Sequence, residues 1–82
     1  MKKEDIFNII VQHSCQLIPE LAGYQFKPGD RLADLGANSV DRAEIIIMTM
    51  ESLSLRIPRV ELFGAKNIGE LVDVLYEKTN AV

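Results

Sequence analysis

Leu35-Gly36-Ala37-Asn38-Ser39-Val40-Asp41-Arg42-Ala43-Glu44 is where an irregular stretch of this chain turns into an apolar helix. Asn38 is a favoured N-cap, and Asp41 follows three residues later, the spacing at which its carboxylate reaches back in a capping box. Ser39 then falls in the first helical turn, beside unpaired N–H groups at the positive end of the helix dipole. A phosphate held there gains from both the donors and the dipole. The geometry suits a covalently attached phosphate ester.

Outward from this stretch, four segments read as helical. Ile6, Ile9, Ile10, His13 and Leu17 recur at helical spacing, and Phe7, Val11 and Ile18 widen the stripe. Pro19 marks the end of that first helix. Residues 19–37 read as a long loop, with a turn at Pro28-Gly29-Asp30 and apolar anchors at Phe26, Leu32 and Leu35. A loop of this length in so small a chain is often functional, and here it delivers Ser39 to the surface.

The second helix is predicted from Ser39 to about Leu53, with Ala43, Ile46, Met50 and Leu53 on its core side and Ile45 at another edge. Its apolar arc is wider than one core contact needs, so part of it is expected to stay exposed or to border a cavity. Ile57-Pro58 closes the connector that follows. Val60, Leu62 and Phe63 predict a short helical turn ending near Gly64. Asn67 with Glu70 opens a last helix, whose inner face is Ile68, Leu71, Val72 and Leu75. The expected fold is all-α: three main helices plus one short one, with the long loop between the first two. Residues 1–82 are expected to form a single domain.

Composition narrows the function classes. The chain has 82 residues, 48% of them hydrophobic, enough to fold alone though near the size where one core becomes marginal. A net charge of -3 argues against nucleic acid, whose binding rests on basic charge. One cysteine cannot form an internal disulfide, so a reducing cytoplasm is the expected setting. Glu4 and Asp5 follow Lys2 and Lys3 at once, unlike a signal peptide, and no segment is long enough to span a membrane. A monomer is expected.

No catalytic constellation can be assembled. His13 phases with the core stripe of the first helix, and Cys15 lies about 200° around from it. Cys15 reads as filler at the edge of the core. The glycines form no phosphate-binding loop, and neither a Cys/His cluster nor a calcium loop is present to bind metal. Glu44 and Glu51 read as a solvated helix face. With Val40, Asp41, Ile47 and Met48 they form a candidate recognition surface, an acidic rim around exposed methyl groups suited to short-lived docking.

The stretch resembles the attachment site of acyl carrier proteins. In that family a serine in an L-G-x-D-S-L pattern carries 4′-phosphopantetheine, and an acidic residue stands five positions further on. Leu35, Gly36, Ser39 and Glu44 match, while Asn38 and Val40 replace the usual Asp and Leu. The helical pattern extends the resemblance over nearly the whole chain. It implies that Ser39 becomes one ester of a phosphodiester derived from coenzyme A. The chemistry would then reside in the distant thiol of the arm, and the chain would act as a carrier rather than an enzyme.

Ala37, where peptidyl carriers show a second glycine, favours the acyl branch. Asn38-Ser39-Val40-Asp41-Arg42-Ala43-Glu44 resembles the freestanding carriers of polyketide β-branching cassettes. That resemblance implies four partners: a phosphopantetheinyl transferase, an acyltransferase, a ketosynthase-like decarboxylase that turns malonyl into acetyl, and a hydroxymethylglutaryl (HMG)-synthase-like enzyme that takes the acetyl group. Arg42 and Arg56 depart from the strongly acidic recognition helix of fatty-acid carriers, which points to a dedicated partner set. The alternatives are a general fatty-acid or polyketide extension carrier and, from another class, a helical adaptor that is never modified.

Overall fold

The computed structural model describes residues 1–62 and 64–80. Among these, three α-helices carry the fold: α1 (Lys3–Leu17), α2 (Ser39–Ser52) and α3 (Ile68–Asn80). Their connections contain 3-10 turns at Pro19–Leu21, Leu32–Leu35 and Arg59–Leu62. The last of these is the expected short helix; the part of that expectation resting on Phe63 lies outside the described residues. The first two lie in the stretch expected to be a plain loop.

Helix α1 ends where proline dictates. The Ile18 N–H makes the last bond, to Ser14 O at 2.9 Å, and Pro19 opens the tighter turn. Its inward row is Ile6, Ile10 and Ser14, all fully buried. Serine is tolerated there because its Oγ donates to Ile10 O at 2.7 Å. Leu17, expected on the inner stripe, is instead exposed beyond the last core turn. His13 is half-buried, its Nε2 2.8 Å from Ser52 Oγ and its Nδ1 3.0 Å from Gln16 Oε1. It ties α1 to the end of α2, a structural task. Cys15 packs half-buried against the core.

The start of α2 follows the sequence reading. The Asp41 N–H donates to Asn38 Oδ1 at 2.8 Å, and the Asn38 N–H donates to Asp41 Oδ2 at 3.3 Å. The inward face does not follow it. Ile45 and Thr49 are fully buried, whereas Ala43, Ile46, Met50 and Leu53 are only partly so. The helix is turned by about 100°, the angle between successive residues. Thr49 permits this orientation: hydropathy counts it as polar, but its Oγ1 donates to Ile45 O at 2.7 Å, so the buried hydroxyl is satisfied. The helix closes with Ser54 N–H to Glu51 O and Leu55 N–H to Met50 O, a Schellman pair that puts Ser54 at φ 55°.

Helix α3 is anchored by the long loop. Its first N–H groups, on Ile68 and Gly69, donate to Asp30 O and Pro28 O at 2.9 and 2.8 Å. Gly69 permits this approach, since a Cβ there would stand 3.1 Å from both Pro28 Cβ and Pro28 O. Asn67 Oδ1 accepts the Glu70 N–H at 2.8 Å, while Glu70 Oε1 takes the Lys66 N–H rather than that of Asn67. Within the turn, Asp30 Oδ2 accepts from the Lys27 N–H and the Tyr24 hydroxyl. The bond to Asp30, with its charge, raises the pKa of the phenol.

Ile68, Leu71, Val72 and Leu75 are buried as expected, and they meet Ile6, Ile10, Ile45 and Leu62 in one core. The loop belongs to that core through buried Leu32 and Ala37, with Phe26 and Leu35 half-buried against it. It is therefore a fixed arm of the structure, ending at residue 38.

Candidate functional site

Ser39 is exposed and is the first residue of α2. The chain reaches it through a sequence of local constraints. Leu32 and Ala37 are pinned in the core, with the 3-10 turn Leu32–Leu35 and Gly36 between them. Gly36 adopts φ 98° and ψ 4°, so that its N–H bonds Ala33 O and the Ala37 N–H bonds Leu32 O. A residue with a Cβ is disfavoured at that angle by about 1–2 kcal/mol. Nothing lies within 4 Å of a Cβ built there, so the cost is conformational and not steric. Gly36→Ala is expected to lower unfolding free energy by about that 1–2 kcal/mol in chemical denaturation. An unchanged midpoint would contradict this account of the turn.

The donors around Ser39 are set by the capping box. Asp41 N–H is taken by Asn38 Oδ1, and Arg42 N–H closes the first helical bond, to Asn38 O at 2.9 Å. The remaining first-turn amides are those of Ser39 and Val40, at the positive end of α2. Arg42, one turn further on, donates from Nη1 to Ala37 O at 3.2 Å and so holds its guanidinium against the segment leading into Ser39. An exposed hydroxyl, two amides and a helix dipole fit a phosphodiester on Ser39.

Ser39 also lines a cleft of about 590 Å³ between the start of α2, the Leu32 turn and the connection into α3. Ala43 and Ile46 form its α2 wall. These are residues assigned from the sequence to the core side. The surplus apolar arc therefore borders a cavity, as expected, but with the core and cavity edges exchanged.

The candidate recognition residues share the outer side of α2. Val40 is 74% exposed, Glu44 and Glu51 are exposed, and Ile47 and Met48 are half-buried. Asp41 is drawn into the capping box, so its first role here is to hold the helix start. Arg31, Lys66 and Leu62, which also line the cleft, were not legible as site residues. They come from separate segments with no shared motif. Among the described residues no group of three or more His, Cys, Asp or Glu side chains could hold a metal, and no helix is long and apolar enough to cross a membrane.

Comparison with known proteins bears on this arrangement. Residues 15–75 match the family described as phosphopantetheine attachment site. The chain is 56% identical over 81 residues to the polyketide biosynthesis acyl-carrier-protein AcpK of Bacillus subtilis (strain 168), covering 99% of each. It is 39% identical over 46 residues to an acyl carrier protein of Clostridium perfringens (strain SM101 / Type A), which spans 56% of this chain and 60% of that one. A solved structure, that of the curacin biosynthetic pathway HMG synthase in complex with acetyl donor-ACP, holds a similar chain. The likeness has a TM-score of 0.88 at 53% identity, over 92% of this chain and 96% of the other.

Proposed function

We propose that this chain, which belongs to the phosphopantetheine-attachment family and is an acyl carrier protein, bears its arm on Ser39. It is a carrier, not an enzyme, and its cofactor is 4′-phosphopantetheine. The observation that carries the reading is the exposed Ser39 at the first position of α2, next to two first-turn amides and in the lining of a cleft. When bound, the arm supplies a terminal thiol that holds acyl groups as thioesters. Ser39 contributes the ester oxygen, and the amides of Ser39 and Val40 with the α2 dipole favour the phosphate's negative charge. Gly36 and the buried Leu32 and Ala37 keep that oxygen at the surface. Incubation with coenzyme A and a broad-specificity phosphopantetheinyl transferase is expected to add the arm once, and a folded chain that takes up none would remove the reading.

The cargo and partners form the second level of the proposal. The chain carries malonyl and acetyl groups in polyketide β-branching. A phosphopantetheinyl transferase and an acyltransferase act on it first, then a ketosynthase-like decarboxylase, and an HMG-synthase-like enzyme accepts the acetyl group. Support comes from the 56% identity to a polyketide carrier and the 53% identity to an acetyl-donor carrier solved with an HMG synthase. The whole of 1–82 acts as one carrier domain, in a cytoplasmic setting where the single Cys15 stays a thiol.

Partners meet the outer side of α2, where Val40, Ile47 and Met48 give apolar contact and Glu44 and Glu51 give charge, with Asp41 holding the helix start. Glu44→Lys is expected to slow acetyl transfer to the HMG-synthase-like enzyme by roughly twofold to tenfold at low salt, because reversing a rim charge acts mainly on encounter. Stability should stay within about 0.5 kcal/mol, since Glu44 is exposed. Equal transfer rates for wild type and variant would dismiss this face as the docking surface.

A further inference from the structure

The cleft beside Ser39 carries charge of one sign. Its described lining includes Arg31, Arg42 and Lys66 and no carboxylate, in a chain with 12 acidic and 9 basic residues. The floor beneath is apolar: Leu62, Ile68 and Leu71 are buried. Arg42 is fixed by Ala37 O, whereas Arg31 and Lys66 are exposed residues from the loop and from the connection into α3. A ligand that satisfies both parts has an apolar stem and an oxyanion at its end. Ser39 lies in the same lining, so anything tethered there samples the cleft at high effective concentration. At about 590 Å³ the space falls in the range of small-molecule sites, about 300–1,000 Å³.

We propose that the cleft retains a carboxylate-terminated acyl group of the malonyl class, carried on the arm at Ser39, in preference to the neutral acetyl group. This rests on Ser39 being the attachment point. The terminal carboxylate takes charge-assisted hydrogen bonds from Arg31 and Lys66, while the stem, made of the single malonyl methylene and the thioethyl end of the arm, lies on the apolar floor. A neutral acyl group has only the floor and leaves both cations to water. Two exposed, screened cations bias occupancy by about threefold to tenfold.

Decarboxylation of the malonyl thioester by a partner breaks the bond between the α-carbon and the carboxyl carbon and releases carbon dioxide. The electron pair left on the α-carbon takes a proton from water, giving the acetyl thioester. The attraction to the cleft leaves with the carboxylate, so the same step that makes acetyl frees the arm for the next enzyme.

The test uses the full chain loaded with the unacylated arm, an acetyl arm or a malonyl arm, the acyl groups amide-linked so that they do not hydrolyse. Intact mass checks loading, and amide proton–nitrogen correlation spectra report on the cleft. The malonyl arm is expected to shift the Ile46, Ala65 and Ile68 signals beyond the acetyl arm. That excess should vanish in the R31Q/K66Q double variant and shrink in wild type on adding about 0.5 M salt. Identical acetyl and malonyl spectra would overturn the inference, as would an excess indifferent to salt or to the double variant. Cleft signals already displaced by the unacylated arm and unmoved by cargo would assign the cations to the phosphodiester and overturn it too. Failure to load at Ser39 would instead strike the attachment reading, and this inference with it.

Discussion

Ser39→Ala abolishes loading and leaves the fold intact. Both halves of this expected result follow from the first turn of α2. Ser39 is exposed, and the capping work belongs to its neighbours: Asn38 and Asp41 bond each other's backbone N–H groups. Alanine is the best helix former, so its substitution at the first helical position should change stability by no more than about 0.5 kcal/mol. The lost hydroxyl is the only oxygen at that point able to form the phosphate ester, so loading should fall to the background of a mock reaction. Circular dichroism and thermal melting check the first half, and intact mass after treatment with coenzyme A and transferase checks the second. A variant that unfolds would show that Ser39 holds the helix start. One that still loads would show that the arm sits elsewhere.

The second large effect is expected at Ile45. Its side chain is fully buried, packed in the same core as Ile6, Ile10 and Leu75. Ile45→Ala should cost about 2–5 kcal/mol through lost burial and the cavity left behind. Total stability for small domains is about 5–15 kcal/mol, so this is a large share of it. Ile46→Ala should cost less, because Ile46 is half-buried on the wall of the cleft. The comparison matters more than either value. If urea denaturation finds Ile46→Ala the more damaging, α2 is oriented as hydropathy alone would turn it, and the cleft is part of the core.

That contrast also marks how far the sequence could be read. Helix boundaries were legible because they are local: Pro19 ends α1, Asn38 with Asp41 opens α2, and Asn67 with Glu70 opens α3. The inner face of α3 was legible because Ile68, Leu71, Val72 and Leu75 follow one clean helical stripe. The rotation of α2 was not, because it depends on Thr49 and its bond to Ile45 O. A hydropathy pattern scores the residue and not the hydrogen bond.

The two 3-10 turns in the loop were missed for a related reason. They are pinned by the burial of Leu21 in the first, and of Leu32 with nearby Ala37 at the second, in a core assembled from distant helices. Of the proposed site, Ser39 and the outer side of α2 could be named from one continuous stretch. The cleft could be anticipated only as a surplus of apolar surface. Its cationic rim joins Arg31, Arg42 and Lys66 from three segments, a juxtaposition that only folding creates.

The attachment of the arm to Ser39 is tested most directly by mapping it. Cleavage after Arg31 and Arg42 yields the peptide Leu32–Arg42, in which Ser39 is the sole hydroxyl-bearing residue. After incubation with coenzyme A and a broad-specificity phosphopantetheinyl transferase, tandem mass spectrometry is expected to find the phosphopantetheine on this peptide and on no other. Modification of a different peptide, or an unmodified Leu32–Arg42 beside a control carrier that is fully loaded, would contradict it.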